Sequence, residues 1–173
     1  MAPVVSTLRS CFGQRHPVVL MTTLHSDTLD QVFGLLGMQL DRDLEFMRSD
    51  EDLTSLAAGF VTRVRDWLWE ERLDCVLVQG ETTTALGAAL AALHEWTPAQ
   101  HVEAGPRTGD RARPFPQGAN RHIVDSFSEY LFPPTLAGQP HLPRKGARSQ
   151  AVPVTGNTVV DALRKIMALA QLA

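Results

Sequence analysis

Two glutamates could carry chemistry in this sequence: Glu81 in VQGETTT (78 to 84) and Glu103 in HVEAG (101 to 105). Each follows a short apolar run of strand character, so both would project from strand ends into one crevice. Such a placement can separate two carboxylate pKa values and let one group act as acid and the other as base. Spacing alone also leaves the simpler reading open, in which residues such as Thr82 and Asn157 only satisfy the free amides of a helix first turn. Arg107, Arg111, Arg113 and Arg121 follow closely and suit an anionic ligand such as a phosphate or diphosphate; the alternative is a solvated or acid-paired basic loop. Gln117 and Gly118, in PFPQGANR, stand where a further acid would be expected. His25, His101 and His122 show no metal-ligand spacing such as HExxH, so no metal site is expected. The absence of GxGxxG and GxxxxGK[ST] removes the dinucleotide and Walker nucleotide sites from consideration.

These residues need elements to position them. PVVLMTT (17 to 23) and DCVLVQG (74 to 80) are short β-branched apolar runs and predict buried strands; AQHVEA (99 to 104) and AVPVTG (151 to 156) predict two more. Between the first two, Leu53, Leu56, Ala57, Phe60, Val64, Trp67 and Leu68 recur at helical spacing, with Ser49 and Asp52 as a capping-box-like entry. Further helices are predicted over 27 to 36, 83 to 95 and 157 to 170. Strands alternating with helices predict an α/β fold, a parallel sheet with helices on both faces, because parallel crossovers require a helix-length connection. Residues 106 to 118 and 133 to 150, rich in Pro and Gly, read as loops. Ligands of such sheets bind beyond the carboxyl ends of the strands. The clusters after residues 79, 102 and 154 occupy those ends.

The chain has 173 residues, 16 basic and 19 acidic side chains and a net charge of −3, which bounds it to about one domain and gives no reason to expect nucleic acid. No apolar run reaches the roughly 18 to 20 residues of a bilayer span, and Arg9, Arg15 and His16 interrupt the first segment, unlike a secretory signal. No membrane association and a cytoplasmic location are expected. Cys11 and Cys75 are too few for a disulfide framework and read as reduced packing residues.

The runs VLVQGETTTALGAALAAL, HVEAGPRTGD, PFPQGANRHI and VTGNTVVDAL, in this order and with these separations, closely resemble the non-hydrolysing UDP-N-acetylglucosamine 2-epimerases. LHSDTLDQVF is similar to that family's QHRxMLDQV segment and MAPVV to its first helix, so the resemblance extends from about Ala2 to Met167. It implies a Rossmann-like parallel sheet corresponding to the N-terminal half of a GT-B type fold, with 1 to 173 as a single, incomplete N-terminal domain. The implied activity is interconversion of UDP-GlcNAc and UDP-ManNAc: the C2 proton is removed, UDP is eliminated to leave an acetamido-glucal, and UDP is re-added after reprotonation on the other face. No cofactor is implied. The implied pathway is cell-envelope polysaccharide biosynthesis.

Carried over by the matched motifs, Glu103 is a catalytic carboxylate. Glu81 replaces the Asp of HGDTTT, which keeps the charge and adds a methylene. Gln117 replaces the first Glu of PEExNR, and an amide cannot accept a proton as a base at neutral pH. Arg107, Thr82, Asn120, Arg121 and His25 fall at substrate-binding positions; with Leu24, Ser26 and Asp27 around His25, binding of a second UDP-GlcNAc as effector is not expected. By this comparison of motifs, the family's first strand, its GTRPE loop and its second domain, which brings a catalytic His, are expected to be missing from residues 1 to 173. The expected partners are UDP-GlcNAc or a related nucleotide sugar, with a homodimer or a complementing C-terminal-domain chain as assembly. Three expectations therefore stand together: an impaired or partner-dependent epimerase, an inactive nucleotide-sugar-binding or interaction protein, and a truncated reading frame.

Overall fold

The computed structural model describes residues 1–11, 17–21, 27–44, 52–105, 114–142 and 152–171. Contacts divide the chain into two compact units, Met1–Ser49 with Asn157–Ala173, and Asp50–Gly156.

In the first unit, α1 (Ala2–Cys11), β1 (Leu20–Met21), α2 (Asp27–Leu36), β2 (Arg42–Asp43) and α6 (Thr158–Ala170) surround a small two-stranded parallel sheet with Leu20 opposite Arg42 and Met21 opposite Asp43. Ala2, Val5, Met21, Leu36 and Leu44 are its buried apolar side chains. Asp41 closes the approach to the sheet: it accepts from the Val19 amide at 2.7 Å and pairs with Arg9 at 3.1 Å. α2 ends at Gly37, whose φ of 64° is the left-handed conformation that glycine adopts freely, and Lys165 donates to the Leu36 carbonyl at 2.5 Å, a cation at the negative end of a helix.

The second unit holds α3 (Leu53–Glu71), β3 (Val76–Gln79), α4 (Thr83–His94), β4 (Ala99–Val102), α5 (Gln117–Phe127), β5 (Tyr130–Phe132) and a 3₁₀ turn (Gln139–His141). β3, β4 and β5 form one parallel sheet in that order, Gln79 opposite Val102 and Val102 opposite Phe132. α3 forms where its periodicity predicts it, and Phe60, Val64, Trp67 and Leu68 are its buried stripe. Asp52 is its N-cap, accepting from the Thr54 and Ser55 amides at 2.9 and 3.0 Å. The Ser55 hydroxyl and these amides hold the Asp52 carboxyl below its ordinary value. Ser49 lies outside the described residues. α4 packs an Ala- and Gly-rich face against α3, so closely that a Cβ added to Gly87 would stand 2.5 Å from Phe60 Cβ.

The α/β expectation holds, with parallel strands and intervening helices. Predicted strands at 74 to 80 and 99 to 104 form as β3 and β4, and the run at 17 to 23 forms only as the short β1, its last two residues lying outside the described set. The expected strand at 151 to 156 is corrected: among the described residues, 152–156 join no strand ladder, and a bond from the Thr155 amide to the Pro133 carbonyl holds them. Pro153 has no amide to give a ladder. Residues 117 and 118, expected in a loop, open α5, and part of the loop expected over 133 to 150 is the 3₁₀ turn. β2 and β5 are too short and polar-flanked for periodicity to have announced them. Cys75 is half-buried; the side chain of Cys11 lies outside the described set. Among the described residues no helix is long and apolar enough to cross a membrane.

Candidate active site at the carboxyl edge of the second sheet

In a β-α-β-α-β run of parallel strands, the helix N-termini return to the edge where the strands end, and their free amides face that edge. β3 ends in Gly80, whose φ of 72° turns the chain sharply; Glu81 follows, and Thr82 caps α4 by accepting from the Ala85 amide at 3.1 Å. The capping reading of Thr82 thus holds. On the neighbouring strand, Glu103 follows β4 with φ 65°, a left-handed backbone that is uncommon for a residue with a side chain and is found where surrounding structure enforces it. Its amide donates to the Phe132 carbonyl at 3.1 Å, so β5 sets its position. Oε2 of Glu103 lies 3.9 Å from where a Cβ on Gly80 would stand, which places this carboxylate against the turn that carries Glu81. Gly105, at φ 91°, passes so near the 3₁₀ segment that an added Cβ would meet the Gly138 carbonyl oxygen at 2.5 Å.

α5 supplies the remaining groups. Gln117, Asn120, Arg121, Val124 and Asp125 recur at i, i+3, i+4, i+7 and i+8, and that spacing puts them on one helix face. Asn120, 5% exposed, donates from Nδ2 to the Glu81 carbonyl at 3.1 Å, and Arg121 forms an ion pair with the Glu81 carboxylate. Arg121 is therefore acid-paired in this state. Oε1 of Gln117 is buried and has no hydrogen-bond partner among the described residues. A buried acceptor without a donor is costly, about 1 to 3 kcal/mol.

Deeper in the same unit, His101 is 0% and Asp125 1% exposed. The ring Nδ1 lies 2.6 Å from Asp125 Oδ1 and Nε2 lies 2.8 Å from the Gly80 carbonyl oxygen. Sequence reasoning tested His101 only for metal spacing and did not single out Asp125. The available signal was a histidine placed two residues from Ala99 on the buried side of a strand, with an acid eight residues beyond Gln117 on one helix face.

The structure thus brings Glu81, Thr82, Glu103, Gln117, Asn120 and Arg121 to one edge of one sheet. Arg107, Arg111, Arg113 and His25 lie outside the described residues.

A Rossmann-like α/β unit with two glutamates after adjacent strands at its carboxyl edge defines the class. The family model described as UDP-N-acetylglucosamine 2-epimerase matches residues 13–173, and the chain belongs to that family. It is 39% identical over 166 residues to a probable UDP-N-acetylglucosamine 2-epimerase of Ralstonia nicotianae, covering 96% of this chain and 44% of that protein. Against the UDP-N-acetylglucosamine 2-epimerase of Neisseria meningitidis it is 38% identical over 167 residues, covering 94% of this chain and 44% of the relative. The crystal structure of the Neisseria meningitidis enzyme bound to UDP-GlcNAc superposes with a TM-score of 0.89 at 37% identity, over 99% of this chain and 46% of that one. A Methanocaldococcus jannaschii structure in complex with UDP-GlcNAc and UDP matches at TM-score 0.86 and 29% identity, over 98% and 46%. The chain spans less than half the length of these relatives.

Proposed function

We propose that this chain forms the carboxylate-bearing part of a non-hydrolysing UDP-GlcNAc 2-epimerase, acting on UDP-GlcNAc or a related nucleotide sugar. The observation that carries the reading is that Glu81 and Glu103 follow adjacent parallel strands, the Glu103 carboxylate lying against the Gly80 turn, with the Asn120 and Arg121 side chains docked on Glu81. In the reaction, Glu103 takes the C2 proton; the electrons of that C–H bond form the C1–C2 double bond as the C1–oxygen bond to UDP breaks. Return of a proton to the opposite face with re-addition of UDP completes the inversion. Glu81, one methylene longer than the family's Asp, is held by Arg121 and serves to orient the sugar or to move the second proton. The assembly of the whole protein, as a homodimer or with a complementing chain that carries the family's second domain, belongs to the same proposal, as do the cytoplasmic location and the cell-envelope pathway.

A second reading, nucleotide-sugar binding without turnover, is favoured by residue 117. An amide there donates and accepts hydrogen bonds but does not act as a base, and its buried oxygen has no donor among the described residues. Titration of the chain with UDP-GlcNAc, followed through backbone amide resonances, tests what both readings share. Shifts are expected at Gly80, Glu81, Glu103 and Asn120, and saturation without shifts at these four positions would contradict both.

A further inference from the structure

We propose that His101 and Asp125 are a buried positioning pair, sharing one proton and holding the Gly80 carbonyl so as to fix the turn that presents Glu81 beside Glu103. The inference rests on the reading of Glu81 and Glu103 given above and extends it to residues that do not reach the ligand. A carbonyl oxygen only accepts, so the 2.8 Å contact to Gly80 requires the hydrogen of the ring to be on Nε2. One hydrogen then lies in the 2.6 Å contact between Nδ1 and Asp125 Oδ1, either on nitrogen, as imidazolium and carboxylate, or on oxygen, as neutral ring and carboxylic acid. Both assignments give a neutral pair, which suits side chains that are 0% and 1% exposed. With both nitrogens engaged, His101 has no lone pair to offer a substrate and acts by orientation.

The turn itself shows what is being oriented. The Gly80 amide donates to the Val102 carbonyl at 3.1 Å, the Gly80 carbonyl accepts from His101, the Glu81 carbonyl accepts from Asn120, and the Glu81 carboxylate pairs with Arg121. Every one of these partners sits on β4 or α5. His101 and Asp125 form the part that links both elements in a single chain, from α5 through the middle of β4 to the end of β3. Gly80 itself, in a left-handed conformation, has no side chain to hold, so its carbonyl is the available handle.

Three variants of the full chain test this by amide resonances and by exchange of the substrate C2 proton in D₂O. His101→Gln keeps a donor for Gly80 but turns an amide oxygen toward Asp125: as a carboxylate it faces that oxygen acceptor to acceptor, and only a proton held wholly on Asp125, which an amide does not share as a ring nitrogen does, relieves the clash. Asp125→Asn alone restores a satisfied chain, because its amide donates to Nδ1; combined with His101→Gln, it donates to the new amide oxygen. The expected result is that His101→Gln shifts the Gly80, Glu81 and Glu103 amides and slows C2 exchange at saturating UDP-GlcNAc about a hundredfold, with affinity changed less than about threefold. Asp125→Asn stays near the wild type, and the double variant recovers most of the lost rate. Wild-type resonances and rate in His101→Gln, or a double variant no better than the single one, would overturn the proposal. If His101→Gln does not fold, the double variant decides: it must fold and approach the wild-type rate. If the wild type itself neither binds nor exchanges, the functional reading fails, and the Gly80 and Glu81 resonances alone decide whether the pair positions the turn.

Discussion

Gln117 is the residue at which this protein departs most sharply in chemistry from the family pattern its motifs match. Its side-chain oxygen is buried, with no donor among the described residues, at the start of α5, on the face that also carries Asn120 and Arg121. Restoring a carboxylate has two opposed consequences. A buried carboxylate lacking a partner is disfavoured and tends to stay protonated, whereas a positioned acid or base accelerates proton transfer by about 10² to 10⁴. Gln117→Glu is therefore expected to lower the melting temperature slightly and to raise C2 proton exchange by about a hundredfold or more. An unchanged rate in the folded variant would show that residue 117 takes no part in proton transfer. The motifs name Glu103, Glu81 and Gln117, and the structure places all three at the edge where β3 and β4 end. The hold of Arg121 on Glu81 was not legible in the sequence, because spacing in the chain says nothing about which acid a flexible cation reaches.

At the scale of elements, the sequence announced what periodicity announces. α3 and α4 form where apolar spacing predicts them, and β3 and β4 follow from β-branched runs. α5 was missed because its inward face is polar: Gln117, Asn120, Arg121 and Asp125 follow the helical period that hydrophobic residues normally mark. The strand expected at 151 to 156 failed for the opposite reason, since apolar alternation there meets no ladder partner and Pro153 lacks an amide. The packing of α3 on α4 depends on a missing side chain. Gly87→Ala would improve helix propensity by about 1 kcal/mol, but its methyl would stand 2.5 Å from Phe60 Cβ, which forces the helices apart. The expected net loss is about 1 to 3 kcal/mol, read by thermal or denaturant unfolding. A variant as stable as the wild type would mean that α3 and α4 can separate without penalty.

For the whole molecule, the fold class was legible because alternating strands and helices leave few solutions, and family membership because four long motifs keep their order and separations. The division of contacts into two compact units was not legible, since both carry strands and helices of the same kind. The chain covers 44% of its relative from Ralstonia nicotianae, so the chemistry must be tested on this chain rather than transferred from the larger protein. The central claim is that the carboxylates gathered at the edge of β3 and β4 form a working base for the C2 position of a nucleotide sugar. The most direct measurement is proton NMR of UDP-GlcNAc with the purified, folded chain in D₂O, with Glu103→Gln alongside. The account predicts loss of the C2 proton signal through exchange for deuterium, abolished in Glu103→Gln while ligand binding persists. A C2 signal that stays intact over many hours in the presence of folded, ligand-bound wild-type protein would contradict it and leave the binding reading in its place.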